Sequence, residues 1–201
     1  MREGGIRDLA VLRAMEAISR AQFVAPEYAG LAGKDVALPI ACGQTCPTPL
    51  DTARILQAAE LGPNMRVLEA GTGSGYATAL LAGLVERVVS VERYRTLVQE
   101  AKQRLASLGH ANVSLQWADA LDLPPLGEFD RLIIHGVLHP LPPTIWRHVA
   151  EGGSIIHAAW DAGRRAAILR RTTKNTGGEA TETLVGPVRL GALVPGLPVR
   201  L

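Results

Sequence analysis

A glycine cluster near the middle of the chain has the residue types needed to bind a small molecule. The apolar stretch 66–70 leads into Gly71, Gly73 and Gly75, and the good helix formers 77–82 follow. This order predicts a strand, a tight turn and a helix. Glycines at alternate positions let the backbone turn sharply and leave no Cβ between the main chain and a ligand. The helix start adds unpaired N–H groups that favour a negative group, so we expect a ligand-binding turn.

The residues around this turn indicate which ligand it binds. The dinucleotide fingerprint G-x-G-x-x-G needs a glycine where this chain has Tyr76, which disfavours NAD. The next predicted strand, 87–92, ends at Glu92, whose carboxylate can accept hydrogen bonds from a ribose diol. With Glu69 ahead of the glycines in the pattern E-x-G-x-G-x-G, the region resembles the S-adenosylmethionine (SAM) site of class I methyltransferases. A glycine turn that only permits tight packing is the alternative.

A SAM site also needs an acceptor for the adenine amino group. Asp119 follows the predicted strand 112–118 at the carboxyl edge, where ligands of open parallel sheets bind. A surface or helix-capping role is the alternative for this aspartate. The predicted cofactor-binding residues are Glu69, Gly71, Thr72, Gly73, Ser74, Gly75, Glu92, Asp119 and Ala120.

Composition excludes several other classes of protein. A net charge of +2 and an aromatic content of 4% argue against nucleic-acid binding. The start of the chain lacks the apolar stretch of a signal peptide, and no apolar run is long enough to span a bilayer, so a cytoplasmic protein is expected. Cys42 and Cys46 lack a second pair for zinc and are interpreted as reduced thiols, and His135 and His139 as packing or surface residues, so no metal is predicted. The sequence does not predict an oligomeric state.

Strands and helices alternate from Met65 onward, which predicts a parallel sheet with helices on both faces. An amphipathic helix is expected at 7–22, and a proline-broken loop at 43–49 precedes a helix at 50–61. Residues 175–178 predict the turn of a long hairpin, because glycine and asparagine favour tight turns. The predicted strands are 65–70, 87–92, 112–118, 129–135 and 153–159, the helices are 75–84, 94–108 and 143–150, and the hairpin strands are 164–173 and 181–190.

Motifs spread over nearly the whole chain resemble the protein-L-isoaspartate O-methyltransferase family. They are Phe23-Val24, Leu38-Pro39-Ile40, Gly43-Gln44-Thr45, the glycine turn from Glu69 to Tyr76, 129–134 and Gly186-Pro187-Val188-Arg189. The resemblance implies methylation of the free α-carboxylate of isoaspartyl residues in damaged peptides and proteins. It also implies an α/β fold, with a three-layer, mostly parallel class I methyltransferase sheet and a C-terminal antiparallel hairpin. Residues 1–62 are then a helical and substrate-loop extension packed on a SAM-binding core, 63–201.

One position departs from the pattern that the resemblance implies. Where the family has a serine associated with catalysis and the substrate carboxylate, this chain has Pro47, which offers neither a hydroxyl nor an N–H. We therefore expect Thr45 or Thr48 to supply the replacement hydroxyl, with loop bracing as the alternative. Two other readings stay open: a SAM-dependent methyltransferase with a different acceptor, and a SAM-binding homologue without repair activity.

Overall fold

A seven-stranded sheet runs through the protein, and its centre is parallel. The computed structural model describes residues 1–177 and 179–198. A separate two-stranded hairpin is formed by β1 (Leu38–Pro39) and β2 (Thr45–Cys46). The large sheet has the order β5-β4-β3-β6-β7-β8-β9. Its strands are β3 (Arg66–Ala70), β4 (Arg87–Glu92), β5 (Val113–Trp117), β6 (Phe129–Val137), β7 (Val149–Asp161), β8 (Ala166–Lys174) and β9 (Ala180–Pro187).

The strands β3 to β7 pair in parallel, whereas β8 and β9 add in antiparallel fashion. This confirms the mostly parallel sheet with a C-terminal hairpin; Gly178 of the predicted turn lies outside the described residues. Successive side chains of a strand point to opposite faces. Val67 accordingly belongs to one buried apolar cluster and Leu68 to another. The sheet thus has a hydrophobic core on each side, as a three-layer fold requires.

Four α-helices surround the sheet: α1 (Leu9–Ala17), α2 (Pro49–Ala58), α3 (Tyr76–Ala82) and α4 (Arg95–Ser107). Short 3₁₀ helices occupy Arg2–Gly4, Arg20–Phe23, Pro26–Leu31, Ala41–Gly43 and Pro143–His148. Asp8 caps α1, and Thr48 caps α2 by accepting a hydrogen bond from Asp51 N. Within the described residues, no helix combines the length and the apolar character that a bilayer span needs.

The N-terminal residues pack on one face of the sheet rather than standing apart from it. Phe23, Leu38 and Ile55 join the same buried cluster as Val67 of β3. The Arg20 side chain is 4% exposed and donates to the carbonyls of Ala32, Val36, Cys46 and Pro47. One guanidinium therefore joins two segments of the N-terminal region and fixes the loop before α2.

Two predicted helices differ from the observed ones. The helix expected at 7–22 ends at Ala17, because the chain turns extended at Ile18 and Arg20 points inward to its carbonyl partners. The helix expected at 143–150 is a 3₁₀ helix over Pro143–His148, and Val149 already belongs to β7, where it pairs with Phe129. At Val149 the pairing with β6 therefore prevails over the helix that the sequence pattern favours. β6 and β7 are also longer than the predicted strands 129–135 and 153–159.

Candidate active site

The largest change in strand order lies between β3 and β6, and the candidate site is at that point. From β3 the chain continues outward to β4 and β5, and then returns to the other side of β3 as β6. In open α/β sheets such a reversal leaves a crevice outside the carboxyl ends of the two strands. The glycine turn follows β3, and His135 lies near the carboxyl end of β6.

A pocket in this crevice brings most of the predicted site residues together. The predicted residues that line it are Thr45, Gly71, Thr72, Gly73, Ser74, Glu92, Asp119 and Ala120. The predicted residues Thr48, Glu69 and Gly75 lie outside the lining. The N-terminal loop contributes Gln44, Cys46 and Pro47 on the side facing the glycine turn. The pocket therefore combines a predicted nucleoside-binding half with a wall from the N-terminal loop.

Glu92 is bound directly to the glycine turn. Its Oε2 accepts a hydrogen bond from Gly73 N at 3.0 Å, and its Oε1 accepts one from Tyr94 N at 3.0 Å. The residue is 6% exposed and lines the pocket, so the carboxylate is fixed in place with unused lone pairs. The role of Glu92 as the acceptor for a ribose diol stays a prediction, for which these lone pairs are available.

Asp119 is also fixed by backbone donors. Its Oδ1 accepts from Leu121 N at 2.9 Å, and its Oδ2 accepts from Gly196 N at 2.6 Å. The second bond holds the C-terminal segment, whose residues 191–194 line the pocket. Arg93 holds the same segment by donating to Val194 O at 2.8 Å. One wall of the nucleoside half is thus supplied by the end of the described chain.

Glu69 lies behind the turn rather than in the pocket. Its side chain is fully buried, and Thr78 and Ser90 each donate a hydroxyl hydrogen bond of 2.6 Å to Oε2. His135 Nε2 lies 2.9 Å from Oε1. Ser90 gives its single hydrogen to Glu69, so Thr72 donates the 2.6 Å bond to Ser90. Instead of the predicted direct cofactor contact, Glu69 braces the glycine turn through this network.

Gly75 also lies outside the pocket, and packing explains why it is glycine. Its φ of +89° is in the left-handed region, and an added Cβ would lie 3.1 Å from the Cβ of Ala101 on α4. The next residue, Tyr76, packs against Phe23 with ring centroids 5.5 Å apart. Burial raises the pKa of Tyr76 to about 12, so its phenol stays neutral. Gly75 therefore permits the close approach of α3 and α4 that positions the turn.

The two candidate threonines lie in different environments. Thr45 is exposed and lines the pocket. Thr48 is 1% exposed, and its hydroxyl donates to Asp51 Oδ2 and accepts from Asp51 N, each at 3.0 Å. Pro47 lines the pocket between them, and its carbonyl accepts from Arg20 at 2.9 Å. Of the two, only Thr45 lines the pocket.

Sequence reasoning missed His135, which lines the same pocket as Glu92 and Asp119. The sequence predicts a packing or surface role for His135, because its spacing to His139 does not form a metal-binding motif. The available signal was its place near the end of a strand on the same edge as Glu92. Gln44, Arg93 and Tyr94 were missed as well, and Gln44 Nε2 lies 3.4 Å from Tyr94 Oη. Among the described residues, no group of three His, Cys, Asp or Glu side chains could hold a metal ion.

Comparison with known proteins identifies the family. The family model described as protein-L-isoaspartate(D-aspartate) O-methyltransferase matches residues 1–195. The chain belongs to this family. A protein-L-isoaspartate O-methyltransferase of Rhodopseudomonas palustris is 39% identical over 198 residues, covering 98% of this chain and 91% of that protein. One from Azorhizobium caulinodans is 41% identical over 202 residues, covering 100% of this chain and 92% of that protein.

Solved structures agree with the family at the level of the fold. A protein-L-isoaspartate O-methyltransferase from Plasmodium falciparum, crystallised with S-adenosyl-L-homocysteine, superposes with a TM-score of 0.83 at 22% identity. The match covers 96% of this chain and 94% of that one. A second structure named protein-L-isoaspartate O-methyltransferase gives a TM-score of 0.82 at 23% identity, covering 95% of this chain and 62% of that one. These matches confirm the class I methyltransferase fold.

The pocket of this family member fits SAM, the cofactor of these methyltransferases. Gly71 and Gly73 line it with φ of +94° and +54°, and an added Cβ on Gly71 would lie 3.4 Å from His135 Cβ. The turn therefore brings bare backbone to the ligand, which suits a carboxylate. Glu92 provides acceptors that suit ribose hydroxyls, and Asp119 provides acceptors that suit an adenine amino group.

Proposed function

We propose that this protein transfers a methyl group from SAM to the α-carboxylate of L-isoaspartyl residues in damaged peptides and proteins. The observation that carries the proposal is the shared pocket, which joins Glu92 and the glycine turn to the N-terminal loop 44–47. A cofactor site alone would not indicate which molecule accepts the methyl group. The family model, however, matches residues 1–195, which include both the glycine turn and the N-terminal loop of the pocket. The product ester can then collapse to a succinimide that reopens in part as normal aspartate.

The reaction needs positioning more than acid–base chemistry. A carboxyl group with a pKa of about 4 is already ionised at neutral pH, so no side chain has to remove a proton. When bound, SAM supplies a sulfonium methyl: the carboxylate oxygen forms the new O–CH₃ bond as the C–S bond breaks, and the electron pair stays on sulfur. The chain's own residues then have to hold the two reactants in line and exclude water.

The cofactor half of the site is proposed to work through fixed backbone and two carboxylates. Gly71 to Ser74 offer main-chain contacts to the methionine portion, Glu92 accepts from the ribose and Asp119 from the adenine. Glu69 and Gly75 act indirectly, since one braces the turn from behind and the other lets α3 approach α4. Because these groups are already hydrogen-bonded in place, binding requires little reorganisation.

The acceptor half is proposed to be the loop of residues 44–47 in the extension 1–62, which packs on the core 63–201. Thr45 lines the pocket, and its hydroxyl would donate to one oxygen of the substrate carboxylate. Arg20 fixes the loop behind it through the carbonyls of Cys46 and Pro47. The peptide itself would enter past this loop, at the open side of the pocket.

The decisive experiment compares two peptides that differ only in one linkage. Purified protein is mixed with SAM and either an isoaspartyl peptide or the matched aspartyl peptide, and S-adenosyl-L-homocysteine is measured. Turnover of the first and not the second is expected. Calorimetry with SAM tests the cofactor site separately, so that a missing reaction can be distinguished from a missing cofactor.

A second candidate function is methylation of a different acceptor, and Pro47 favours it. This residue lines the pocket with neither a hydroxyl nor an N–H, so the wall that meets the acceptor has fewer donors than a serine would give. Losing a hydrogen bond to a charged group costs about 1.5–3 kcal/mol. SAM binding without turnover of the isoaspartyl peptide would favour this candidate over the first.

A further inference from the structure

The acceptor side of the pocket needs a donor that the N-terminal loop does not fully supply. Pro47 has none, and the Thr48 hydroxyl is directed to Asp51. Thr45 can meet one carboxylate oxygen. A carboxylate with two oxygens in a site with little water requires further donors, because an unpaired charge is costly to bury. The partner for the second oxygen is therefore sought on the opposite wall.

His135 occupies that wall, beside the glycine turn. It lines the pocket, and its side chain is 8% exposed. Its Cβ would lie 3.4 Å from a Cβ added to Gly71, so the ring borders the turn directly. Nε2 is taken by Glu69 at 2.9 Å, whereas Nδ1 has no hydrogen-bond partner among residues 1–177 and 179–198. Nδ1 is therefore the ring nitrogen left for a ligand, and it keeps some solvent-accessible surface.

Glu69 determines which atom of the ring meets the substrate. An ionised carboxylate can only accept, so Nε2 carries a hydrogen and donates it. Nδ1 then accepts when the ring is neutral and donates when the ring is protonated. A hydrogen bond between an imidazolium and a carboxylate is charge-assisted, and such bonds are about twice as strong as neutral ones. Because Glu69 binds Nε2, the Nδ1–H of a protonated His135 ring is left to donate to a second carboxylate, that of the substrate.

The other charged or titratable groups of the pocket are directed elsewhere. Glu92 and Asp119 hold backbone N–H groups, and Arg93 donates to Val194 O. The charged or titratable residues that line the pocket besides His135 are Cys46 of β2, Tyr76 of α3, Glu92 at the end of β4, Arg93 and Tyr94 between β4 and α4, and Asp119 after β5. Glu69 of β3 lies behind the imidazole ring, outside the lining. Neither Glu92 nor Asp119 is hydrogen-bonded to the His135 ring.

We propose that His135 binds the substrate carboxylate through Nδ1–H, with Glu69 fixing the ring, and takes the place that Pro47 leaves without a donor. The inference rests on the proposed function, because the carboxylate in question is that of the isoaspartyl residue. It assigns His135 a contact with the reacting group. It also gives the buried Glu69 a second effect, since the same carboxylate braces the turn and orients the imidazole.

Two substitutions separate substrate contact from bracing. The amide of H135Q can still donate to Glu69 but leaves nothing at the Nδ1 position, whereas H135N places an amide near Nδ1 and loses the bond to Glu69. The exposed His139, outside the pocket, gives the matched control H139Q. Binding of an isoaspartyl peptide to the protein saturated with S-adenosyl-L-homocysteine is measured by calorimetry, as is binding of that cofactor product alone.

We expect H135Q to weaken peptide binding by about 10- to 100-fold, H135N by less than about 10-fold, and H139Q not at all. Binding of the cofactor product should stay within about twofold in all three, which also shows that they are folded.

The outcomes distinguish the inference from the proposed function. If the unaltered protein methylates the isoaspartyl peptide but H135Q binds and turns it over normally, the inference is wrong and the function stands. A pattern in which H135N is damaged and H135Q is normal would assign His135 to bracing alone. If the unaltered protein neither binds nor methylates the peptide, both proposals fall. Peptide binding without methylation, weakened in H135Q, would keep the carboxylate contact and overturn only the reaction.

Discussion

At the scale of single residues, two threonines three positions apart have separate tasks. Thr45 lines the pocket, whereas Thr48 caps α2 and is bonded to Asp51. We expect T45V to lower turnover of an isoaspartyl peptide about 10-fold, the cost of one hydrogen bond to a charged group. Binding of SAM should be unchanged in this variant.

The variant T48V should show the opposite pattern. Removing a threonine cap costs about 1–2 kcal/mol, and Asp51 also loses its hydroxyl partner, so the free energy of unfolding should fall. Turnover by the remaining folded protein should match that of the unaltered chain. Urea denaturation and initial rates measured on both variants test the pair. A loss of turnover confined to T48V would reverse these assignments.

Glu92 offers a prediction about the cofactor alone. Its two oxygens accept from Gly73 N and Tyr94 N and still face the pocket. In E92Q one of these oxygens becomes an N–H₂ group that cannot accept, so SAM should bind about 10- to 100-fold more weakly. Glu86 is exposed just before the same strand, and E86Q is the matched control. Equal calorimetric affinities for E92Q and E86Q would remove Glu92 from the cofactor site.

The position of a site residue could be predicted from the sequence when the residue lies at the end of a strand, but not when it lies in a loop. Glu92 ends one strand and Asp119 follows another, and the carboxyl-edge rule places such residues in a crevice without any further information. Thr45 and Thr48 lie in a loop, where no periodicity tells which side chain faces the ligand. The direction of Thr48 is set by its capping bond to α2, and that of His135 by a contact with Glu69 of another strand. The first is a local bond between residues three positions apart, whereas the second is a tertiary contact that spacing along the chain does not contain.

At the scale of elements, the N-terminal loop is held by one buried cation. Arg20 donates to four carbonyls, of which those of Cys46 and Pro47 belong to the wall of the pocket. R20M should lower the free energy of unfolding by about 3 kcal/mol or more, because the buried carbonyls lose their donor. It should also raise KM for the peptide more than it weakens SAM binding.

The lysine variant R20K refines this prediction. Lysine keeps the charge but lacks the planar fork that reaches several carbonyls at once, so we expect an intermediate loss. Arg13 is exposed on α1, and R13M is the matched control. Chemical denaturation gives the stability, and peptide titrations at saturating SAM give KM. If R20M raises the KM for peptide no more than R13M does, Arg20 does not position the loop.

The same residue shows why one element was predicted too long. Apolar spacing favours a helix through residue 22, but the observed α1 ends at Ala17 and Arg20 turns inward. At 143–150 the helical pattern competes with the pairing of Val149 and Phe129. The buried parallel strands were predictable, because each is a short apolar run between turn signals. The ends of the helices and strands were not predictable, because strand pairing and buried hydrogen bonds determine where each element stops.

At the scale of the whole molecule, two histidines, one just before β7 and one within it, make stability depend on pH. His148 precedes this strand and His157 lies within it, and both are buried. Burial lowers the pKa of each from the ordinary value of 6.5. Bonds to the carbonyls of Gly127 and Leu138 oppose this effect in part, and the charges of nearby basic groups add to it.

The sign of the effect follows from proton binding. Because the folded state lowers both pKa values, the unfolded chain binds more protons as pH falls below 6.5, and the fold loses stability there. Above that pH both states hold neutral imidazoles, so this contribution is complete and constant. The loss should continue until the pH drops below the lowered pKa values of the folded protein.

Urea denaturation between about pH 5 and 8 measures this dependence. The free energy of unfolding should be level near neutrality and decline as the pH falls below 6.5. Thr172 Oγ1 lies 3.1 Å from His157 Nε2, so H157Q keeps a polar partner for this hydroxyl while removing the titratable group. The decline should be shallower in H157Q and unchanged in the control H110Q, which alters a histidine that is not among the groups shifting the pKa of His148 or His157. Parallel profiles for H157Q and the unaltered chain would mean that this histidine holds the same proton in both states and that carboxylates govern the acid limb.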